Sequence, residues 1–439
     1  LVGSEMCIRV RLISDVIGRV ERPLALKWTG LAEQDKSYQG FLKVNYAQSW
    51  EDFKSAMHDY SAPAVNFVYA DVEGNIGLFA GGKIPVRKYH DGRLPVPGWQ
   101  SKFEWHEYIS VDSLPQILNP EKGYIVNSNN RNHPADYPHI IANNWSVPYR
   151  HDRISQVIES HIESGKKISV QDFVELQGDF QNLLAQEAIA FFKKLTPQTS
   201  QQEETLNLLK QWDGVLAEDS TEGAIFQSWL RNFNFLLLQD DLEGNLLHMA
   251  RGDQLQNFVN GLNPKLIRKI IAPDNQLQHD WCDQVDTNEP ETCEDIALIA
   301  FDLAYEELEG VIGISTEWGD IHATSYPHLA FTNMQFLNSI FDREISSGGG
   351  RFTVNNARWI YTEDGRYLQN VGPNYRQVLD LSDWNQSGFI NDTGQSGNIL
   401  SEHYDDNILP HKQTQLWPMH FGAEQALAGE SILKLEPIN

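Results

Sequence analysis

Positive charge is scarce in this chain: Lys+Arg 34 stand against Asp+Glu 60, a formal net charge of -26. Such a surface repels phosphate backbones and anionic lipid heads, so neither nucleic acid nor membrane is an expected partner. No stretch approaches the roughly 18 to 20 apolar residues that a membrane-crossing helix needs. Several catalytic signatures are also missing. There is no His-Glu-x-x-His zinc pattern, no Gly-x-Ser-x-Gly elbow, no phosphate-binding loop and no Gly-x-Gly-x-x-Gly dinucleotide word. Gly394-Gln-Ser-Gly397 lacks the elbow's spacing and reads as a tight turn. Cysteine is nearly absent too, with 3 in the chain.

Cys7 belongs to an anomalous start. Residues 1–9 have neither an initiator Met nor an apolar leader, and Glu-Met-Cys-Ile-Arg is what a common sequencing-adaptor oligonucleotide encodes. They are read as an assembly artefact, with the native sequence expected to begin near Val10 inside a longer protein. Cys282 and Cys293 remain, in an acidic loop rich in Asn, Asp, Thr and Pro. Their spacing suits a surface disulfide in an oxidising compartment. Two unrelated thiols are the alternative. A zinc site would need more ligands than the nearby His279 offers.

What is present says globular: hydrophobic residues are 41% and aromatics 11%. Val10 to Thr29 reads as β-rich, and Trp50, Phe53 and Met57 at helical spacing predict a short amphipathic helix over Trp50 to Tyr60. Asn66 to Asp71 and Asn75 to Ala80 flank Val72-Glu-Gly74, a hairpin in which the glycine supplies a positive φ. Asp91 to Gly98 carries two prolines and is an ordered loop rather than a central strand. Tyr124 to Asn127 predicts a short strand running into polar Ser128, Asn129 and Asn130. Ile154, Val157, Ile158 and Ile162 predict one helix face, and further helices follow to Lys194, over Glu203 to Trp212, and over Asp295 to Leu308 with a stripe of Ile296, Ile299 and Leu303. After Gly348-Gly-Gly350 strands return at Arg351 to Asn355, Arg358 to Tyr361 and Tyr375 to Leu381. The order fits an α+β body with a helix-rich middle. Its parts are a sheet-rich stretch over 10–150, a helix-rich one over 151–345, and returning strands with a tail over 346–439.

Two places invite chemistry. An Asn129 side chain at a strand end can aim an N–H at the oxyanion of a tetrahedral intermediate, although Asn127, Asn129 and Asn130 could equally satisfy turn hydrogen bonds. Arg150 and Arg153 sit in the first turn of the Ile154 helix, where a cation opposes the helix dipole and must find an acidic, carbonyl or substrate partner.

A series of collinear words runs along almost everything after Val10. Among them are Leu24-Ala-Leu-Lys-Trp28, Asn66-Phe-Val-Tyr-Ala-Asp-Val-Glu-Gly-Asn-Ile-Gly77, Leu94-Pro-Val-Pro-Gly-Trp99, Tyr124-Ile-Val-Asn-Ser-Asn-Asn-Arg131, Trp318-Gly-Asp-Ile-His322 and His403-Tyr-Asp-Asp406. Together they resemble the downstream part of a penicillin acylase β-subunit. The resemblance implies a four-layer αββα sandwich of the N-terminal-nucleophile hydrolases and a precursor that cuts itself to free a catalytic serine. That serine attacks an amide with its own α-amine as base, an amine with a pKa near 8 being able to take the proton at neutral pH. Asn129 would be the oxyanion donor, Arg150 would position the site, and Arg153 would be a helix residue without catalytic duty. No Ser-Asn-Asn-Trp-like word opens this chain, and Ser4, though it follows Gly3, is followed by Glu5-Met-Cys7. The chain is therefore expected to be inactive alone, lacking the nucleophile, and an incomplete sandwich is expected to expose strand edges and dissolve poorly.

The resemblance further implies a small N-acyl amide substrate (a penicillin-like β-lactam or an N-acyl homoserine lactone), an α-subunit and upstream β-segment as partners, and a periplasmic or secreted location. It implies no organic cofactor and a structural calcium, for which Gly92 aligns with a carbonyl ligand and Asn144 lies near the usual place of an aspartate. Two other readings remain open. One is a conventional Ser/His/Asp hydrolase, and the other a secreted, non-catalytic binding scaffold presenting Trp99, Trp105 and Trp145.

Overall fold

The computed structural model describes residues 10–12, 24–239, 264–272, 281–284, 287, 289–309 and 315–428. Helices and sheets are mixed, and the chain divides into two compact units, Leu1–Ser146 and Val147–Asn439.

In the first unit β1 (Val10–Leu12) pairs antiparallel with β2 (Ala25–Lys27). Two helices follow, α1 (Ser37–Val44) and α2 (Trp50–Met57). The second starts where Ser49 Oγ accepts the Asp52 N–H at 3.2 Å, a side-chain cap on an otherwise orphaned donor. Its Trp50, Phe53, Ala56 and Met57 are buried, as the helical spacing predicts. They pack on a sheet ordered β3–β4–β5, from β3 (Val65–Ala70), β4 (Ile76–Gly81) and β5 (Gln116–Leu118). The hairpin between β3 and β4 closes at Gly74, φ +89°, a conformation that costs glycine nothing. The Asp71 carboxylate braces it, accepting from Asn75 N and Nδ2 at 2.9 Å each and from the Tyr69 hydroxyl at 2.8 Å. Phe79 is fully buried, and its ring meets Phe53 at 88° and 6.2 Å. Gly77 lets Trp50 lie on the sheet, since a Cβ there would stand 2.4 Å from the indole.

The second unit opens with α3 (Tyr149–Glu163), α4 (Val170–Gln177), α5 (Leu183–Phe192), α6 (Ser200–Gln211) and α7 (Thr221–Leu236), followed by α8 (Pro264–Ile271) and α9 (Cys293–Glu309). The α7–α9 seam is the centre of its core. Trp229 is fully buried and stacks on Phe233 at 4.8 Å and Phe301 at 5.6 Å, while its indole N–H donates to the Ala297 carbonyl at 3.1 Å. Cys282 and Cys293 form a disulfide, Cα–Cα 5.0 Å, at the start of α9. Two expected stripes shift: Ile299 on α9 and Ile162 on α3 are exposed, at 41% and 51%. The buried face of α9 runs instead through Ile296, Ala297, Ala300, Phe301, Ala304 and Leu308, where small alanines let α7 approach.

Beyond α9 a mixed sheet has the order β7–β6–β9–β8, from β6 (His322–Tyr326), β7 (Arg343–Ser346), β8 (Arg358–Tyr361) and β9 (Tyr367–Val371); β6 and β9 run parallel. A second sheet pairs β10 (Tyr375–Val378), β11 (Gly388–Asn391) and β12 (Trp417–Pro418). The predicted strand Arg351 to Asn355 is turns and bends instead. Its groups bond locally, Thr353 Oγ1 donating to the Gly350 and Asn355 carbonyls at 2.9 and 2.6 Å, and a chain folded on itself cannot join a ladder.

A polar seam joins α7, α9 and β9. Glu307 Oε2 accepts from Arg231 at 2.5 Å, Ser228 at 2.7 Å and Asn232 at 3.2 Å, and Oε1 accepts from the Tyr367 hydroxyl at 2.6 Å. Burial, reinforced by the Glu307 charge, holds the Tyr367 phenol well above its usual pKa, so it remains a donor.

His322 is sealed in the same unit, stacked on Trp318 at 4.5 Å, with Nδ1 2.6 Å from the Ser347 carbonyl. Burial pushes its pKa down to about 4. The native state thus holds it neutral while the unfolded chain protonates it near its ordinary value of about 6.5, so acid favours unfolding. Its contribution is fully present above pH ~6.5 and is lost as the pH falls toward 4, by about 3 kcal/mol over that window. Denaturant unfolding at pH 7 and pH 4.5 should show that loss, and its disappearance in His322→Gln would assign it to this ring; an unchanged acid loss in the variant would refute the assignment.

Candidate active site

The segment Tyr124 to Asn127 is not a strand: it has no ladder partner among the described residues. Asparagine side chains hold it instead. Asn66 on β3 donates from Nδ2 to Asn127 Oδ1 at 3.2 Å and accepts from Asn132 Nδ2 at 2.7 Å, which clamps the segment at two points. Between these points Asn129 has φ +64°, in the left-handed region, and its carbonyl accepts the Ser146 N–H at 3.0 Å. Such a φ costs an L-residue roughly 1 kcal/mol or more and is tolerated best by asparagine after glycine. The bend is further pinned by Asn130 Oδ1, which accepts from Ser128 N at 3.1 Å. The outcome is an exposed amide side chain carried on a strained, cross-braced bend. Asn66 was the residue that pattern reading missed, although it opens one of the matching words.

Arg150 stands in the first turn of α3 and Arg153 just beyond it; the helix has Pro148 before it and no side-chain cap. Arg153 is committed to structure, its Nε and Nη2 reaching Asp179 Oδ2 at 3.0 and 2.6 Å. Arg150 is half-buried, and desolvation pushes its guanidinium below the usual arginine range. Next to it Tyr149 is buried in the core, its hydroxyl donating to Glu187 at 2.9 Å. Asn129 belongs to the first unit and Arg150 to the second.

Gly92 and Asn144 both lie in the first unit. Their neighbours meet, Asn143 Nδ2 donating to the Asp91 carbonyl at 2.7 Å. The groups around Gly92 do not fit a calcium ion. Asp91 is spent on Arg93, whose backbone N–H and Nε lie at 3.1 and 2.5 Å and hold that carboxyl below its usual range. A Cβ on Gly92 would stand 3.3 Å from Arg87 Nε, a cationic group where a divalent cation wants oxygen. Among the described residues no three His, Cys, Asp or Glu side chains converge to hold a metal.

A model of the penicillin amidase family matches residues 11–428. The chain belongs to this family. Among its curated relatives, an acyl-homoserine lactone acylase of Pseudomonas syringae pathovar tomato is 26% identical over 403 residues, covering 87% of this chain and 47% of that protein. A penicillin acylase 2 proenzyme of a Pseudomonas species is 25% identical over 422 residues, covering 94% of this chain and 51% of that protein. The chain thus spans about half the length of the curated relatives it matches. Among solved structures, the thermostable penicillin G acylase of Alcaligenes faecalis superposes with a TM-score of 0.64 at 17% identity, over 96% of this chain and 80% of that one. That likeness shows the penicillin amidase fold.

Among the described residues of this penicillin amidase chain no serine hydroxyl, histidine ring and carboxylate are hydrogen-bonded in series as a conventional triad needs. Ser347 Oγ lies 3.2 Å from His322 Nδ1, but both residues are buried and no carboxylate is hydrogen-bonded to that ring among the described residues. His161–Asp172 and His403–Asp406 are paired at 3.3 and 2.8 Å, yet neither ring takes a serine hydroxyl there. The binding-scaffold reading also weakens. Trp99 is exposed, at 74%, but Trp105 is half-buried under Lys27 at 5.0 Å and Arg87 at 5.4 Å, and Trp145 packs edge-on against His133 at 5.5 Å.

Proposed function

We propose that this chain is the C-terminal part of the β-subunit of an N-acyl amide hydrolase. In the intact protein an N-terminal serine supplies the nucleophile, and the substrate is a small amine carrying an acyl group, a β-lactam or a homoserine lactone. The family match along residues 11–428 carries the reading. The strained Asn129 bend supports it locally.

In this mechanism the serine hydroxyl adds to the amide carbonyl while its own α-amine takes the proton, and the carbonyl oxygen becomes an oxyanion. The Asn129 side-chain amide donates to that oxyanion; because Asn66 braces the segment, little reorganisation is needed as charge develops. The proton passes to the leaving amine, an acyl-enzyme remains, and water releases the acid by the same route. Arg150, half-buried at the start of α3, orients the site. The fold of the intact enzyme is the four-layer αββα sandwich.

The chain alone is expected to hydrolyse nothing, because nucleophile and base are one residue and that residue is outside it. Incubating it with an N-acyl homoserine lactone and with penicillin G should release no acid above a buffer blank. A longer precursor that adds the serine-led segment should turn over. Multiple-turnover hydrolysis by the chain alone, or none by the completed precursor, would overturn the proposal.

A further inference from the structure

Far from the Asn129 bend in sequence, the second unit contains a cavity of about 240 Å³ between α7, β8 and the turn at Arg351. Its walls are apolar and aromatic, from Leu230, Phe352 and Trp359. Its polar groups are guanidinium and amide. Arg351 and Arg358 both line it, and no salt bridge to an acidic side chain is made by Arg358 among the described residues. Arg358 Nε is buried without a hydrogen-bond partner. Asn234, 3% exposed, also lines the cavity.

A third arginine, Arg231, also stands on the wall. Arg231 is bound to Glu307 and lies over the Tyr361 ring at 3.9 Å, so it adds little free charge. Arg358 has no such neutraliser, and two guanidiniums sharing one small space repel. The charge of Arg358 adds to burial in pushing Arg351 below its usual range.

The backbone is shaped to bring these groups together. Successive residues of a regular strand point to opposite faces, yet Arg358 and Trp359 both line the cavity. The β8–β9 register shifts between these two residues, an irregularity that re-aims one side chain. Gly350 lets the Arg351 turn close on α7, as a Cβ there would stand 3.1 Å from Gln227 Nε2. Gln227 is fixed in turn by the Trp359 indole, which donates to its Oε1 at 3.1 Å.

We propose that this cavity binds a small free carboxylate on a flat apolar body, the anion accepting from the Arg358 and Arg351 guanidiniums, and the body held between Trp359, Phe352 and Leu230. A planar guanidinium matches a carboxylate with two parallel N–H donors, and a water-poor aromatic wall strengthens that pairing. A volume below the ~300 Å³ at which drug-sized sites begin limits the guest to a compact acid. The site is independent of the amide-hydrolysis reading, since none of its residues takes part in that chemistry.

Calorimetric titration tests it with benzoate as the probe and benzyl alcohol as its uncharged counterpart. Saturable benzoate binding is expected, at least 10-fold weaker in Arg358→Gln, partly restored in Arg358→Lys, and with benzyl alcohol weaker by a similar factor. Thermal melts of each variant check that it folds; if Arg358→Gln does not, the lysine variant and the alcohol comparison still decide. Absence of saturable benzoate binding, equal binding of acid and alcohol, or undiminished binding by a folded Arg358→Gln would each overturn the proposal. The same carboxylate chemistry could come from an acidic side chain of the protein itself. That source would show as no benzoate binding together with a lowered melting temperature in Arg358→Gln, and it too overturns the free-ligand proposal.

Discussion

Replacing Glu307 by alanine is expected to destabilise the second unit by about 3–5 kcal/mol, the usual cost of breaking a buried charge pair from one side. The size follows from what Glu307 holds. One carboxylate accepts from Arg231, Ser228, Asn232 and Tyr367, residues on α7 and β9, so truncation orphans a charged donor and three neutral ones. The ion pair itself is not the source of that number, because desolvating two charges offsets much of their attraction. The double variant Glu307→Leu with Arg231→Met should therefore recover most of the loss. Urea unfolding monitored by tryptophan fluorescence gives both values from the shift in midpoint at constant slope. A single-variant loss under 1 kcal/mol would show that water already reaches the seam.

The second large effect is catalytic and belongs to the completed precursor. Asn129→Gly should lower kcat by about 10²–10³ with the precursor still processed and folded, the range seen when one oxyanion donor is removed. Glycine is the informative substitution, since Asn129 has φ +64° and alanine would add backbone strain to the loss of the donor. The companion change Asn66→Ala keeps the donor but removes both clamps on its segment, and should give a smaller fall. A kcat for Asn129→Gly within threefold of the parent would remove this side chain from the mechanism.

Much of this was legible in the residues. The hairpin around Gly74, the α2 face and the Cys282–Cys293 bond could be read from spacing, because each is set by residues close in sequence. Arg358 to Tyr361 pairs as a strand in the predicted place. Apart from Arg351 to Asn355, whose groups bond locally, the failures share one cause, the neighbour that a linear pattern does not contain. Tyr124 to Asn127 has a strand's composition, but its anchor is the side chain of Asn66 rather than a backbone partner. Ile299 has the hydrophobicity of a core residue, yet α7 approaches α9 over its alanines and leaves Ile299 outside. The cavity at Arg358 was invisible for the same reason: it needs a register shift in β8 that no spacing of apolar residues announces. Asn129 itself stood out by its place in a matching word, whereas its left-handed backbone could only be seen in three dimensions.

The bond between Cys282 and Cys293 closes a ring in the chain whose members Thr287, Glu289 and Pro290 face solvent. A protease that cuts inside this ring does not separate the two sides. The severed ends remain joined through sulfur, with Cys282 still seated in the core beside α9. Such a nicked molecule would run as one species on a gel without reductant and as two fragments once the disulfide is reduced.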